Sequence, residues 1–454
     1  MSEREFDVVV VGMGPGGEYI ATKLAAAGVA VAAVEEHLVG GECPYWGCNP
    51  SKMMIRAGNL LAEGRRIPGM AGASVVWPDW APVACRIRDE ATHNWDDKLA
   101  ADRFTGLGGT LYRGHGTVGG PDTVRVGDSV LRARRGIVIG TGTAPWIPPV
   151  DGLAGTPYWT NRQAVEAGQV PRSLIVLGGG PVGVEFAQVF ARFGAAVTII
   201  EELDRLLPGE EPESGELVTK IFRREGMTVH TGVSARSVSH DGCAFTVALA
   251  GGLQLTGERL LVATGRRAGL ASLGVGAIGQ DENACHLEVD QNMRAAPGVW
   301  AVGDVTGKGA HTHMSLYQGR IVLSQLLGRP YHPAEYQAVP RVTFTDPEIG
   351  AVGLTEAQAR ERLGGKVSTA IRQVPQSRRG WIHKAGGDGF IKLVVDDERG
   401  VLVGATSAGP DGGEVLSMLT LAVHAAVPVQ RLREMIYAYP TFHGAVPEAI
   451  GRLT

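Results

Sequence analysis

Apolar positions in this chain gather into short continuous runs closed by glycine or by an acid. Phe6 to Val11 is the first such run and Val29 to Val34 the second. Runs of this length bounded by turn residues predict strands buried on both faces, as in a parallel sheet. Between them lies Gly12-Met13-Gly14-Pro15-Gly16-Gly17, and Glu18 to Ala27 then carries a helical pattern. The same unit returns later. Ser173 to Leu177 is a strand, Gly178-Gly179-Gly180-Pro181-Val182-Gly183 a turn, Val184 to Arg192 a helix and Ala196 to Ile200 a second strand. Each second strand runs into a glutamate, Glu35 and Glu201, and the spacing from the last glycine to the acid is the same in both. The glycines let backbone approach a pyrophosphate, the helix start offers free N–H groups, and the terminal acid is placed for a ribose diol. The repeat predicts two dinucleotide sites on one chain. From Val339 the pattern changes, with strands at Gly389–Val395 and Gly404–Pro410 and a helix at Glu414–Ala426. The fold class is therefore α/β, with two Rossmann-like dinucleotide-binding domains and a carboxy-terminal α+β domain.

Composition narrows the function. A chain of 454 residues has room for roughly three domains, and 44% hydrophobic with 20% charged residues is ordinary for a soluble globular protein. A net charge of −4 gives no reason to expect nucleic acid or an anionic membrane as partner. No apolar run approaches the ~18 residues of a membrane span. No signal peptide precedes Phe6–Val11, so a cytoplasmic location is expected. The five cysteines do not make a disulfide scaffold, and Cys85, Cys243 and Cys285 are read as buried or incidental thiols. Cys43 and Cys48 alone are close. A zinc site needs a second such pair or histidines at ligand spacing, so no metal site is expected and a redox pair is the better reading. Five residues of regular helix rise about 7.5 Å, whereas a disulfide needs Cα atoms within roughly 7 Å. The segment must be distorted, and Pro44 and Gly47 permit that.

Gly40-Gly41-Glu42-Cys43-Pro44-Tyr45-Trp46-Gly47-Cys48-Asn49-Pro50-Ser51-Lys52 resembles the active-site segment of the flavoprotein disulfide reductases, the family of dihydrolipoamide dehydrogenase, glutathione reductase and mercuric reductase. The resemblance covers nearly the whole chain. It implies an FAD-binding domain (1–151), an NAD(P)-binding domain (152–268), a segment completing the FAD domain (269–336) and an interface domain (337–454). Gly136 to Thr143, with Thr141 and Gly142, resembles the closing strand and turn of the first flavin half-domain; Leu261 to Arg266, with Gly265, resembles its nicotinamide counterpart. By the same resemblance Asp304 bonds the flavin ribitol, Thr312 falls near the isoalloxazine and Gly116 meets the adenine. Gly41 belongs to the cofactor-binding set with Gly12, Gly14, Gly17, Glu35, Gly178, Gly180, Gly183 and Glu201. Cys48 is implied to lie nearest the flavin and Cys43 to be the outward interchange thiol. Lys52 and Glu185 are implied to pair beside flavin N5, where a lysine stabilises negative charge on the reduced ring. His311 and His313 are read as packing of the flavin loop. The acidic stretch Gly209–Glu216 is read as a solvated turn.

The pattern breaks near the end. Disulfide reductases of the family carry His-Pro-Thr-x-Ser-Glu, whose histidine acts as acid–base for the dithiol across a dimer and whose glutamate orients it. This chain reads Tyr439-Pro440-Thr441-Phe442-His443-Gly444. At pH 7 a free histidine (pKa ≈ 6.5) is mostly a base, whereas a free tyrosine (pKa ≈ 10) is ionised about one part in a thousand. His443 is the candidate substitute, expected in the first turn of a helix opened by Thr441. A tyrosine here resembles mercuric reductases, but no cysteine follows Cys285 to supply their carboxy-terminal pair. Tyr45 and Trp46 either pack beneath the flavin or narrow the substrate mouth.

The expectation is a homodimeric enzyme passing electrons from NADH through FAD to Cys43–Cys48 and on to a small-molecule acceptor: a small disulfide, a metal ion or a quinone. Glu201, with Glu202 beside it, disfavours the 2′-phosphate of NADPH, although Arg205 is near. A true dihydrolipoamide dehydrogenase and a non-catalytic flavin-binding interaction protein are the alternatives.

Overall fold

The computed structural model describes residues 2–453, which form two compact units. Among these residues the first comprises 2–51, 85–146 and 265–336; the second comprises 52–84, 147–264 and 337–453.

The first unit is built on an eight-stranded sheet. Its central path runs Arg294–Ala296, Val299–Ala301, Ser129–Ile139, Ser2–Val11, Val31–Glu35 and Thr110–Arg113, and the hairpin Gly116–Gly120/Thr123–Val126 extends from Ser129–Ile139. Ser2–Val11 pairs in parallel with Val31–Glu35 on one side and Ser129–Ile139 on the other. The apolar run at its end serves both faces. Val8 and Val10 pack with Ile20 and Leu24 of the helix Pro15–Ala26, while Val9 and Val11 pack with Ile137, Ile139 and Val299. Each such side chain contributes roughly 1.5–3 kcal/mol when fully buried, which is why the run has no polar interruption.

The second unit holds three sheets. A parallel sheet orders Thr228–His230, Ala196–Ile200, Ser173–Leu177 and Arg259–Val262. A three-stranded antiparallel sheet spans Ala235–His240, Phe245–Leu249 and Gln254–Gly257, and both contribute to one core that includes Ile175, Phe245 and Leu260. A five-stranded antiparallel sheet orders Pro340–Thr343, Glu348–Gly353, Val401–Gly409, Phe390–Asp396 and Val367–Gln373, and the helix Gly412–His424 packs Leu416 and Leu419 into its core. Among the described residues no helix is long and apolar enough to cross a membrane.

The acidic stretch is not a solvated turn. Pro212 starts a helix that runs to Arg224, and the acids around it are paired. Glu210 takes the Arg341 guanidinium at 2.6 and 2.9 Å. Glu211, 3% exposed, and Glu213 take the Lys392 ammonium at 2.9 and 2.8 Å, and Glu356 joins them at 3.0 Å. Burial disfavours the charge on Lys392, but Glu213, Glu211 and Glu356 together raise its pKa. The partners lie more than a hundred residues away in sequence, so the local pattern reads as solvated.

Candidate active site

The two glycine turns share one construction. A Cβ on Gly17 would sit 1.9 Å from the Gly12 carbonyl oxygen, and one on Gly183 would sit 2.0 Å from that of Gly178. Only glycine lets the turn fold so closely onto the helix it starts. Each helix, Pro15–Ala26 and Pro181–Arg192, is 12 residues long with Gly14 or Gly180 as its N-cap and proline in its first turn. The first intrahelical bonds are Glu18 N–H to Gly14 O (2.8 Å) and Val184 N–H to Gly180 O (3.0 Å). The amides before them, with the positive end of the helix dipole, suit a pyrophosphate.

The acids repeat as faithfully. Glu35 accepts from the Met13 and His37 amides, both at 2.7 Å. Glu201 accepts from the Gly179 and Leu203 amides at 2.6 and 2.8 Å. Each oxygen spends one lone pair on backbone and keeps capacity for a ribose hydroxyl. Burial pushes the Glu35 pKa up while the His37 and Met13 amides restrain it. Arg205 donates to Asp204 and to the Pro208 carbonyl. These features fit a dinucleotide at each turn.

Gly41 ties the dithiol segment to the first turn. Its φ is +66°, and a Cβ there would lie 2.8 Å from Gly14 Cα. Gly40 N–H donates to Met13 O at 2.7 Å, and the Asp97 carboxylate accepts from Val39 N–H at 2.6 Å. A short helix, Glu42–Tyr45, breaks at Trp46-Gly47, and a new helix runs Cys48–Arg66. The break supplies the distortion that a Cys-x4-Cys pair requires. Both cysteines are free thiols here, with Cys48 the more exposed. The Cys48 sulfur lies 3.2 Å from the Thr312 hydroxyl, at the start of the helix Thr312–Leu326. A hydrogen bond to Cys48, reinforced by burial, pushes the Cys43 thiol pKa far up. Tyr45 and Trp46 are buried, their ring centroids 5.9 Å apart. The Tyr45 phenol donates to Val39 O at 3.2 Å, and burial with the nearby Asp97 pushes its pKa up to about 12. The pair thus pins the loop from inside.

Around the rest of the first unit, Asp304 opens a 3₁₀ turn after Gly303. Burial raises its pKa, opposed by the charge of Arg266. Its carboxylate accepts a long hydrogen bond, 3.4 Å, from the Thr143 hydroxyl, which leaves acceptor capacity for a polyol. Arg266 donates to the Thr143 hydroxyl (2.9 Å) and carbonyl (2.5 Å). Thr141 and Gly142 precede Thr143, and Gly265 precedes Arg266. Gly116 is buried against Val11 and Val34, the ends of the first two strands. Beside it His115 bridges Glu36 (3.1 Å) and Ser272 O (2.9 Å), both of which raise its pKa. His311 and His313 stack, centroids 5.0 Å apart.

In the second unit Lys52 and Glu185 meet at 2.9 Å. The other Glu185 oxygen accepts from Phe344 N–H at 2.8 Å, and the ammonium lies 4.6 Å from the Phe344 ring centre. Tyr439 is 76% exposed. His443 stands in a 3₁₀ turn, Phe442–Gly444, that Thr441 opens as its N-cap ahead of the helix Ala445–Ile450, and its ring is 6.1 Å from Tyr437. Among the described residues neither Tyr439 nor His443 bonds another site residue. Cys85, Cys243 and Cys285 are all exposed, not buried. Thr143, Arg266, Phe344 and Asp97 were not singled out by sequence. Thr143 and Arg266 close two of the glycine-rich runs noted there, and the other two carry no local signal.

Two dinucleotide turns and a helix-borne dithiol define a nicotinamide- and flavin-dependent dithiol oxidoreductase. Residues 6–319 match the pyridine nucleotide-disulphide oxidoreductase model, and 339–450 match the dimerisation domain of the same family. The chain is 32% identical over 459 residues to a dihydrolipoyl dehydrogenase of Chlorobaculum tepidum, covering 98% of this chain and 96% of that one. It is 33% identical over 454 residues to a mercuric reductase of Shewanella putrefaciens, covering 97% and 80%. Among solved structures it resembles a Cu(II) complex of the HOCl-induced flavoprotein disulfide reductase RclA of Escherichia coli, with 26% identity, a TM-score of 0.86 and 99% of each chain covered. The chain belongs to the pyridine nucleotide-disulphide oxidoreductase family. It is an FAD-dependent enzyme that uses a reduced nicotinamide nucleotide, as the two cofactor turns require.

Proposed function

We propose that this enzyme passes electrons from NADH to a thiophilic metal ion taken up at Cys43 and Cys48. The observation that carries the reading is Tyr439 and Gly444, standing where the family's disulfide reductases have a histidine and a glutamate. FAD, when bound, relays the electron pair of NADH to the sulfurs. Glu35 and Glu201 hold the two riboses, Asp304 the ribitol, and Gly116 the adenine end. Thr141, Gly142 and Gly265 shape the adjoining turns. Lys52, fixed by Glu185, supplies positive charge for the reduced ring. Reducing a disulfide needs a thiolate to attack and a proton for the leaving sulfur. Reducing a bound soft metal ion needs sulfur ligands and electrons. For Cu(II), one NADH yields two Cu(I), NAD⁺ and one proton. The mercuric reductases among the relatives and the Cu(II) complex of the structural neighbour support this acceptor class. The enzyme acts as a homodimer, in which the Tyr439 segment completes the partner's dithiol site. A reducing, cytoplasmic setting suits thiols that cycle.

A second reading, dihydrolipoamide dehydrogenase, is supported by the likeness to the Chlorobaculum protein over nearly its whole length. The two separate in one experiment. The FAD-loaded enzyme is reduced anaerobically with NADH, then mixed with Cu(II), Hg(II) or lipoamide. Reoxidation by a metal ion, lost in Cys43→Ser and Cys48→Ser, with lipoamide turnover 10²–10⁴-fold below an acid–base-equipped enzyme, is expected. Efficient lipoamide turnover refutes the metal reading.

A further inference from the structure

The second unit contains a cavity of about 700 Å³ away from the glycine turn, lined by Arg65, Arg66, Arg192, Arg224 and Lys384, with Glu225 and Asp388 as its acids. Its size is that of a small-ligand site. The five cations are not equivalent. Arg192, 3% exposed, spends four of its five N–H groups: it donates twice to Glu225, once to Asp346 at 2.8 Å and once to Asn59 at 2.6 Å. Arg66 is held by Glu63 and Asp346 at 2.5 and 2.6 Å. A Cβ on Gly386 would lie 2.6 Å from its guanidinium, so Arg66 lies directly against the Gly386 backbone. These two arginines are structural.

The other three keep unused donors. Arg65 gives one N–H to Arg192 O at 2.9 Å, out of the five that a guanidinium carries. Arg224 gives one to Asp388 at 2.8 Å. The Lys384 ammonium makes no ion pair among the described residues. Glu225 is occupied on both oxygens by Arg192, so it does not neutralise the remaining cations. Arg65, Arg224 and Lys384 therefore face one space with donors to spare and a single acid, Asp388, among them. Ala62, Ala191 and Ala385 keep the walls small. Guanidinium donors of this kind match the tetrahedral oxygens of phosphate.

We propose that this cavity is a binding site for a small multivalent phosphate-type oxyanion, separate from the dinucleotide turn of the same unit. The probe is inorganic pyrophosphate, titrated calorimetrically into the FAD-loaded enzyme at saturating NAD⁺, so that both cofactor sites are filled, with sodium chloride at equal ionic strength as control. Saturable binding is expected in the wild type. It should weaken at least tenfold in Lys384→Gln and again in Arg65→Gln/Lys384→Gln, while NADH reduces the flavin at an unchanged rate in both variants. Lys384 is exposed, so its substitution leaves the fold intact. No binding, or binding equal in wild type and variants, overturns the proposal, the latter outcome assigning the anion to another surface.

Discussion

Thr312 puts a hydroxyl 3.2 Å from the Cys48 sulfur, the one side-chain hydroxyl described in contact with the redox pair. A hydrogen bond to a charged acceptor contributes about 1.5–3 kcal/mol, or about one to two units of proton affinity. Thr312→Val should move the pH midpoint of the long-wavelength thiolate-to-flavin band upward by about one unit, and Thr312→Ser should restore it; a midpoint unchanged in the valine variant removes the hydroxyl from the circuit. His115 provides a second titration. Ser272 O and Glu36 raise its pKa, so its contribution is fully present below the unfolded value of about 6.5 and is lost as pH rises through the folded value. In thermal melts His115→Gln should be destabilised relative to wild type at pH 5.5, and the gap should narrow at pH 8.5. The family resemblance placed Thr312 near the isoalloxazine, and His115 entered only as the neighbour of Gly116. Sequence had no means to show that one hydroxyl serves a sulfur and one imidazole serves a carboxylate, because both contacts join distant segments. The three exposed cysteines mark the same limit: a short apolar neighbourhood does not report which side of a loop faces water.

At the scale of the element, the repeated strand–turn–helix–strand was legible because everything that defines it is local. Gly17 and Gly183 are demanded by carbonyls five residues back, and Glu35 and Glu201 by the end of the next strand. What sequence could not show is that each acid also braces its own turn, through Met13 and His37 or through Gly179 and Leu203. That bracing couples ribose recognition to turn geometry. A methyl group on Gly183 would meet a backbone oxygen at 2.0 Å, so Gly183→Ala must displace the turn at a cost of about 1–3 kcal/mol. FAD content should remain that of the wild type while the NADH concentration needed to reduce the flavin rises at least tenfold, read by anaerobic titration. If flavin is lost instead, the two turns are not independent sites.

At the scale of the molecule, the decisive contacts are those between remote parts of the chain, and there the sequence reading was weakest. Lys392 sits in a strand of the antiparallel sheet, 6% exposed, and gathers Glu211, Glu213 and Glu356. Removing one member of a buried charge cluster leaves the others uncompensated, which costs about 3–5 kcal/mol. Lys392→Met should lower the midpoint of urea unfolding accordingly, whereas an exposed pair such as Lys366–Glu398 should change it by less than about 1 kcal/mol. The carboxy-terminal segment is the opposite case, since its departure from the family pattern was visible in six residues and its consequence is functional. If Tyr439 and Gly444 are what bars efficient disulfide reduction, then Tyr439→His with Gly444→Glu rebuilds the missing acid–base pair. Positioned acid–base groups contribute typically 10²–10⁴-fold, so lipoamide turnover should rise by about two to four orders of magnitude while Cu(II) reduction changes little, because a sulfur-bound metal ion asks for no proton. Tyr439 is open to solvent in the single chain, so the double substitution disturbs no packed core within it, and the far-UV spectrum and dimer mass serve as controls. A variant that stays folded and dimeric yet gains no lipoamide turnover places the barrier elsewhere than in the missing acid–base pair.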